Sequence, residues 1–160
     1  MKQSLVKQTY LDHFKQTPSM YASCTNDLHH PETTRAFGGW GDIENNTLSF
    51  AVSDSSSEKF LSIAQPGNRI AFVSVTLSNY LTYQYKGSIL SVHSANTDEL
   101  VNINAYVDQF CSLVAYVGHD PARYRVGFAG TSYSIITFEL DLVFDQTPRV
   151  GAGALLHSKQ

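Results

Sequence analysis

The stretch SDSSSEKF, Ser53 to Phe60, places four serines, two carboxylates and one lysine in eight positions. Two kinds of chemistry use such a set. A helix N-terminus carries unpaired N–H groups and a partial positive charge, so hydroxyls there either cap the helix or help hold an anion. Ser55 and Glu58 have the Ser-x-x-Glu spacing of a capping box. Ser53, Ser57 and Lys59 supply hydroxyls and a cation to a phosphate. A dianion asks for a second cation, and Arg35 in PETTRAFGG and Lys86 in TYQYKG are the candidates.

Other reactive types are weaker in pattern. There is no GxSxG elbow to expose a nucleophilic serine. GGWG, Gly38 to Gly41, has neither the dinucleotide nor the P-loop spacing and reads as a tight turn or bulge. His29 and His30 are adjacent in an expected hairpin loop, where neighbouring side chains diverge rather than share a metal. Glu139 and Asp141 share a strand face and read as a solvated outer surface rather than an acid/base pair. Trp40 reads as core or interface. No metal site is expected.

These residues need elements to position them. Leu5, Val6, Leu11 and Phe14 are near helical spacing, and QTP at 16–18 ends that helix. Met20, Ala22 and Cys24 then alternate with polar partners, NDLHHPE turns the chain, and TTRAFGGW returns as a strand. Leu48, Phe50 and Val52 mark a third strand, which delivers the chain into the serine cluster. Phe60, Leu61, Ile63 and Ala64 form one face of a short helix ended by QPGN. Arg69–Thr76 and Leu81–Ala95 are strands joined by LSNY. A long helix starts at Thr97, Asp98 and Glu99 and ends at Gly118, HDPARY makes a short turn or one helical turn, and Tyr133–Phe144 is a long strand. The spacing thus predicts about six strands and three helices without strict β-α-β alternation. That pattern is a mainly β (α+β) antiparallel barrel with peripheral helices.

Composition sets the outer bounds. The chain has 160 residues, 42% of them hydrophobic and 16% charged, with formal net charge −3. That length suits one domain over 1–160. Eleven dispersed basic residues exclude a nucleic-acid backbone reader. Nine Tyr and nine Phe favour strands. Cys24 and Cys111 lack disulfide-framework or zinc spacing, and neither a signal peptide nor an 18-residue apolar run is found. The expectation is a soluble cytoplasmic protein with no nucleic-acid or membrane partner. NNT at Asn45 to Thr47 is a sequon without use in that compartment.

The order of pieces over residues 18–95 (TTRAFGG, LSFAVS, the Ser/Lys helix start, RIAFVSV, TYQYKGSI) resembles the pyridoxamine 5'-phosphate oxidase-like, FMN-binding split-barrel family. FDQTPRVGAGALL is similar to the closing segment of one branch of it. The resemblance implies a six-stranded split β-barrel that forms a homodimer, with FMN in clefts between subunits and a small-molecule substrate. It assigns Arg35 to the flavin phosphate or ring edge and the backbone around Phe37 to the isoalloxazine. It assigns Ser53, Ser57 and Lys59 to the phosphate, and Thr82 and Gln84 to the ring. Two departures stand out: Glu58 occupies a position where the oxidases often carry Arg, and Trp40 one where they often carry Lys. The tail RVGAGALLHSKQ also lacks the oxidase's arginine-bearing substrate grip, and Arg149 has no assigned role. The functional expectation is an FMN-dependent oxidoreductase on a small substrate, in which the flavin carries the redox chemistry. The alternatives are a non-catalytic module for flavin, haem or another planar ligand, or a dimeric scaffold that has lost its cofactor.

Overall fold

The computed structural model describes residues 4–25, 30–128, 130 and 132–159. The NDLHHPE turn therefore falls largely outside the described residues. In order the elements are α1 (Gln8–Phe14), β1 (Ser19–Thr25), β2 (Pro31–Ala36), β3 (Gly39–Asp42), β4 (Thr47–Ser53) and α2 (Glu58–Ile63). Then come β5 (Arg69–Val75), β6 (Thr82–Ser94), α3 (Thr97–Tyr116), α4 (Pro121–Phe128), β7 (Tyr133–Asp145) and β8 (Ala154–Ser158).

The strands form one antiparallel sheet in the order β2-β1-β5-β6-β7-β4-β3, and β8 adds to β7. The sheet curls until its ends meet without a closed ladder. Phe37, just past β2, donates its N–H to the Ala51 carbonyl of β4 at 2.8 Å. This is the expected split barrel, with the mainly β, α+β class intact. Inside it the aromatic residues that alternate along the strands meet: Phe50 and Phe72 stack with centroids 4.6 Å apart, and Phe138 lies edge-on to both. Three helices were expected and four are described; six strands were expected and eight are described.

Each difference has a local cause. TTRAFGGW is two strands, because Gly38 at φ +94° turns the chain between β2 and β3. HDPARY is the start of α4: Asp120 Oδ1 accepts the Ala122 N–H at 2.9 Å, and Pro121 takes the first helical position. β8 lies among the glycines of the tail, two of them at positive φ. On β7 the inward phase runs through Ile136, Phe138 and Leu140 and then passes to Val143, because Asp141 is skipped in the pairing with β6. Gly87 opposite is obligatory, since a Cβ there would stand 1.9 Å from the Glu139 carbonyl oxygen. The Asn46 side chain accepts the Leu5 N–H (2.8 Å) and donates to the Leu140 carbonyl (2.9 Å), tying the N-terminal segment to the barrel.

Candidate functional site

The serine cluster follows β4 and leads into α2. The helix begins at Glu58, so Ser57 is its N-cap and Glu58 its first residue. The Ser55–Glu58 capping box is not formed. Ser57 Oγ is turned away from the helix and shares a 2.5 Å hydrogen bond with Thr34 Oγ1 of β2, a buried tertiary contact that replaces the local one. The capping box this chain does form is at α3, where Asn96 Oδ1 accepts the Glu99 N–H at 3.0 Å and Glu99 Oε2 accepts the Asn96 N–H at 2.9 Å.

Ser53 is buried, with its hydroxyl 3.2 Å from Ser55 Oγ. The outward part of the cluster is a recess of about 250 Å³ whose walls include Glu32, Thr33, Ser55, Ser56, Glu58 and Lys59. Ser57 lines its floor. The structure therefore brings Ser57 and Lys59 to one place, with Ser53 just behind. The sequence reading missed that Ser55, Ser56 and Thr33 present the hydroxyls there. The serine run itself is the signal, with Ser55 assigned by its spacing to a cap.

Arg35 goes elsewhere. Adjacent strand residues point to opposite faces, and with Thr34 committed to Ser57, Arg35 turns towards α3. Its guanidinium carbon lies 4.6 Å from the Phe110 ring centroid and 5.5 Å from that of Tyr21, and Nη1 donates to Tyr21 Oη at 3.1 Å. Beside it, burial pushes the Tyr106 hydroxyl well above the usual phenol range and the Arg35 charge pulls it part-way back. Tyr106 Oη also donates to the Pro18 carbonyl at 2.7 Å. Phe37 is buried edge-on to Tyr133, with its N–H spent on Ala51.

Thr82 and Gln84 stand at the far end of β6. Gln84 pairs with Phe144 and accepts from Gln146 Nε2 at 3.2 Å, whereas Ser94 pairs with Ser134, which pairs with Val52 beside Ser53. Along β6 ten residues separate Gln84 from Ser94, but across β5 and β1 Gln84 is level with Arg35, three strands or roughly 14 Å away at about 4.8 Å each. Thr82 donates its hydroxyl to the Tyr80 carbonyl at 2.7 Å. Lys86, the other candidate cation, lies over the Phe144 ring at 5.0 Å.

The remaining candidates are structural. Glu139 pairs with Lys159 at 2.7 Å, and Asp141 pairs with Arg69. Among the described residues no group of His, Cys, Asp and Glu could hold a metal ion; His29 lies outside them. Both cysteines are buried and free. No described helix is long and apolar enough to cross a membrane.

The fold is a split barrel like that of solved pyridoxamine 5'-phosphate oxidase-like proteins. Group A Streptococcus HupZ shares it at 10% identity and TM-score 0.52, over 94% of this chain and 99% of that one. A candidate pyridoxamine 5'-phosphate oxidase from Lactobacillus delbrueckii shares it at 11% identity and TM-score 0.52, over 90% and 99%. An F420 reductase shares it at 13% identity and TM-score 0.51, over 86% and 98%. No family model matches the sequence, and no curated protein does.

The donor chemistry of the α2 recess can be tested against a flavin phosphate. Lys59 and the Ser55 and Ser56 hydroxyls suit it, while the Glu32 and Glu58 carboxylates in the same walls oppose a dianion. The recess fits a phosphate through one cation rather than two.

Proposed function

We propose that this chain is a flavin-binding protein of the split-barrel type that works as a homodimer, holding FMN through Lys59 and the surrounding serines. The observation that carries the reading is the recess at the start of α2, hydroxyl-rich and bordered by one exposed ammonium. At about 250 Å³ it is smaller than the roughly 300–1,000 Å³ of complete ligand pockets, so it suits the phosphate end and leaves the ring to a second surface. A bound flavin would supply the hydride chemistry of an oxidoreductase on a small substrate. The chain's own part is to bind and orient it.

A second reading is a non-catalytic module for a flavin, haem or other planar ligand, or a dimeric scaffold without cofactor. The two carboxylates of the recess and the commitment of Arg35 to Phe110 favour it. The absorption spectrum of the purified protein separates the readings: flavin bands, a Soret band or neither. In titrations, Lys59→Ala should weaken FMN by about tenfold, the low end for a charge-assisted bond because Lys59 is exposed, and leave riboflavin unchanged. Equal losses for both ligands would make Lys59 a support of the fold.

A further inference from the structure

A second cleft, of about 330 Å³, lies between the end of α1, the start of β3 and α3. None of the seven residues expected to bind cofactor lines it. Trp40 and Tyr106 flank Gly38, and a Cβ on that glycine would lie 3.8 Å from the Trp40 ring and 3.7 Å from Tyr106 Cβ. Its φ of +94° requires glycine, so no side chain fills the space beside the Trp40 ring and the base of Tyr106. Phe14 adds a third apolar wall.

α3 supplies the polar edge. Asn102, Ala105 and Gln109 follow one another at i, i+3 and i+7 along a single stripe. Ala105 is short, which keeps the space between the two amides. Gln109 Oε1 accepts from Thr17 Oγ1 at 2.7 Å, which holds the carboxamide while its NH₂ donors remain. Thr17 itself is a buried β-branched residue at φ +52°, a conformation that persists where the surroundings fix it and that recurs at ligand sites. The ionic group of the lining, Lys15, is paired with Asp12 at 2.9 Å, so the cleft has no charge to spend on an anion.

We propose that this cleft binds an uncharged, planar heteroaromatic ligand of two or three fused rings. The ligand lies against the Trp40 ring over the Gly38 turn, with its acceptor-bearing edge on Asn102 and Gln109. The volume is at the lower end of small-molecule pockets, which sets the ring count, and aromatic walls with few polar groups are the usual lining of such sites. The site is built within one chain and does not depend on the phosphate reading of the α2 recess.

The chain has a single tryptophan, so its fluorescence reports on this cleft alone. Lumichrome, which has three fused rings and neither ribityl chain nor phosphate, is the probe. Saturable quenching of Trp40 is expected. Ala105→Phe, which fills the cleft, should weaken it at least about tenfold, and Asn102→Ala about fivefold, the effect of one lost hydrogen bond. Lys59→Ala should leave lumichrome unaffected. Thermal melts establish that each variant is folded. Absence of saturable quenching in the folded wild type would overturn the proposal, as would an unchanged response in folded Ala105→Phe or equal weakening by Lys59→Ala. Lumichrome quenching in a protein that fails to bind FMN would remove the flavin reading and leave this site standing.

Discussion

At the scale of single residues, His13 carries a consequence for pH that its surroundings dictate. It is 1% exposed on α1, packed edge-on to Tyr83 with ring centroids 5.0 Å apart. Burial lowers its pKa below the usual histidine value, and a backbone contact at Ser74 only partly offsets that. The folded protein therefore holds the neutral ring, while the unfolded chain takes up a proton near pH 6.5. Stability is full above that pH and falls as the pH drops through it. At pH 5.5, one unit lower, a single such histidine contributes a loss of up to about 1.4 kcal/mol. Denaturant titrations at pH 7.5 and 5.5 should show the loss, and His13→Phe should reduce it. His157, whose pKa burial also lowers, leaves a smaller slope of the same sign. An identical slope in wild type and variant would remove His13 as the source. The same scale explains why the Ser55–Glu58 spacing suggests a cap that does not form. A Ser-x-x-Glu spacing is a local signal, and the Ser57–Thr34 bond that displaced it joins residues 23 apart.

At the scale of elements, α3 is fastened to the barrel across β2 by Arg35, held between Phe110 and Tyr21, and by the Tyr106–Pro18 bond. A cation over an aromatic face is worth about 0.5–1 kcal/mol when exposed and about 2 when desolvated. Arg35 is half-buried, so Arg35→Ala should lower stability by about 1–2 kcal/mol. It should also reduce hydrogen-exchange protection along α3. If FMN and riboflavin bind, both should weaken alike. Unchanged α3 protection with a loss confined to FMN would instead make Arg35 a phosphate ligand. The elements were mostly legible because period-two alternation is strong in β1, β4, β5 and β6, and the 3.6-residue stripe of α3 is long. β3 and β8 were not, since each is short and sits among glycines that read as turns. Of the site, the recess was legible in composition. The direction of Arg35 was not, because it depends on which helix covers that face of β2, a long-range fact that no local spacing encodes.

At the scale of the whole molecule, the chain leaves surfaces that a monomer covers poorly. β8 closes one edge of β7 and is exposed along most of its length, with Leu155 and Leu156 pointing to opposite faces and both open. An uncovered edge strand with apolar side chains is a site for association, and natural sheets usually blunt or cover one. Tyr80 is exposed as well, at the turn leading into β6 and so at the Thr82 end of that strand. The α2 recess is too small for a whole FMN. A second copy that brought its own β6 end to the recess would add a surface for the ring that the recess cannot enclose. The expected state is therefore a homodimer, with a mass by light scattering of about 35 kDa, twice the 17.7 kDa chain. Mutating the edge, with Leu155→Lys and Leu156→Lys together, should shift the protein towards 17.7 kDa and weaken FMN in parallel. A wild-type mass of 17.7 kDa at micromolar concentration would sink the dimer. It would also confine any ligand to what a single chain encloses.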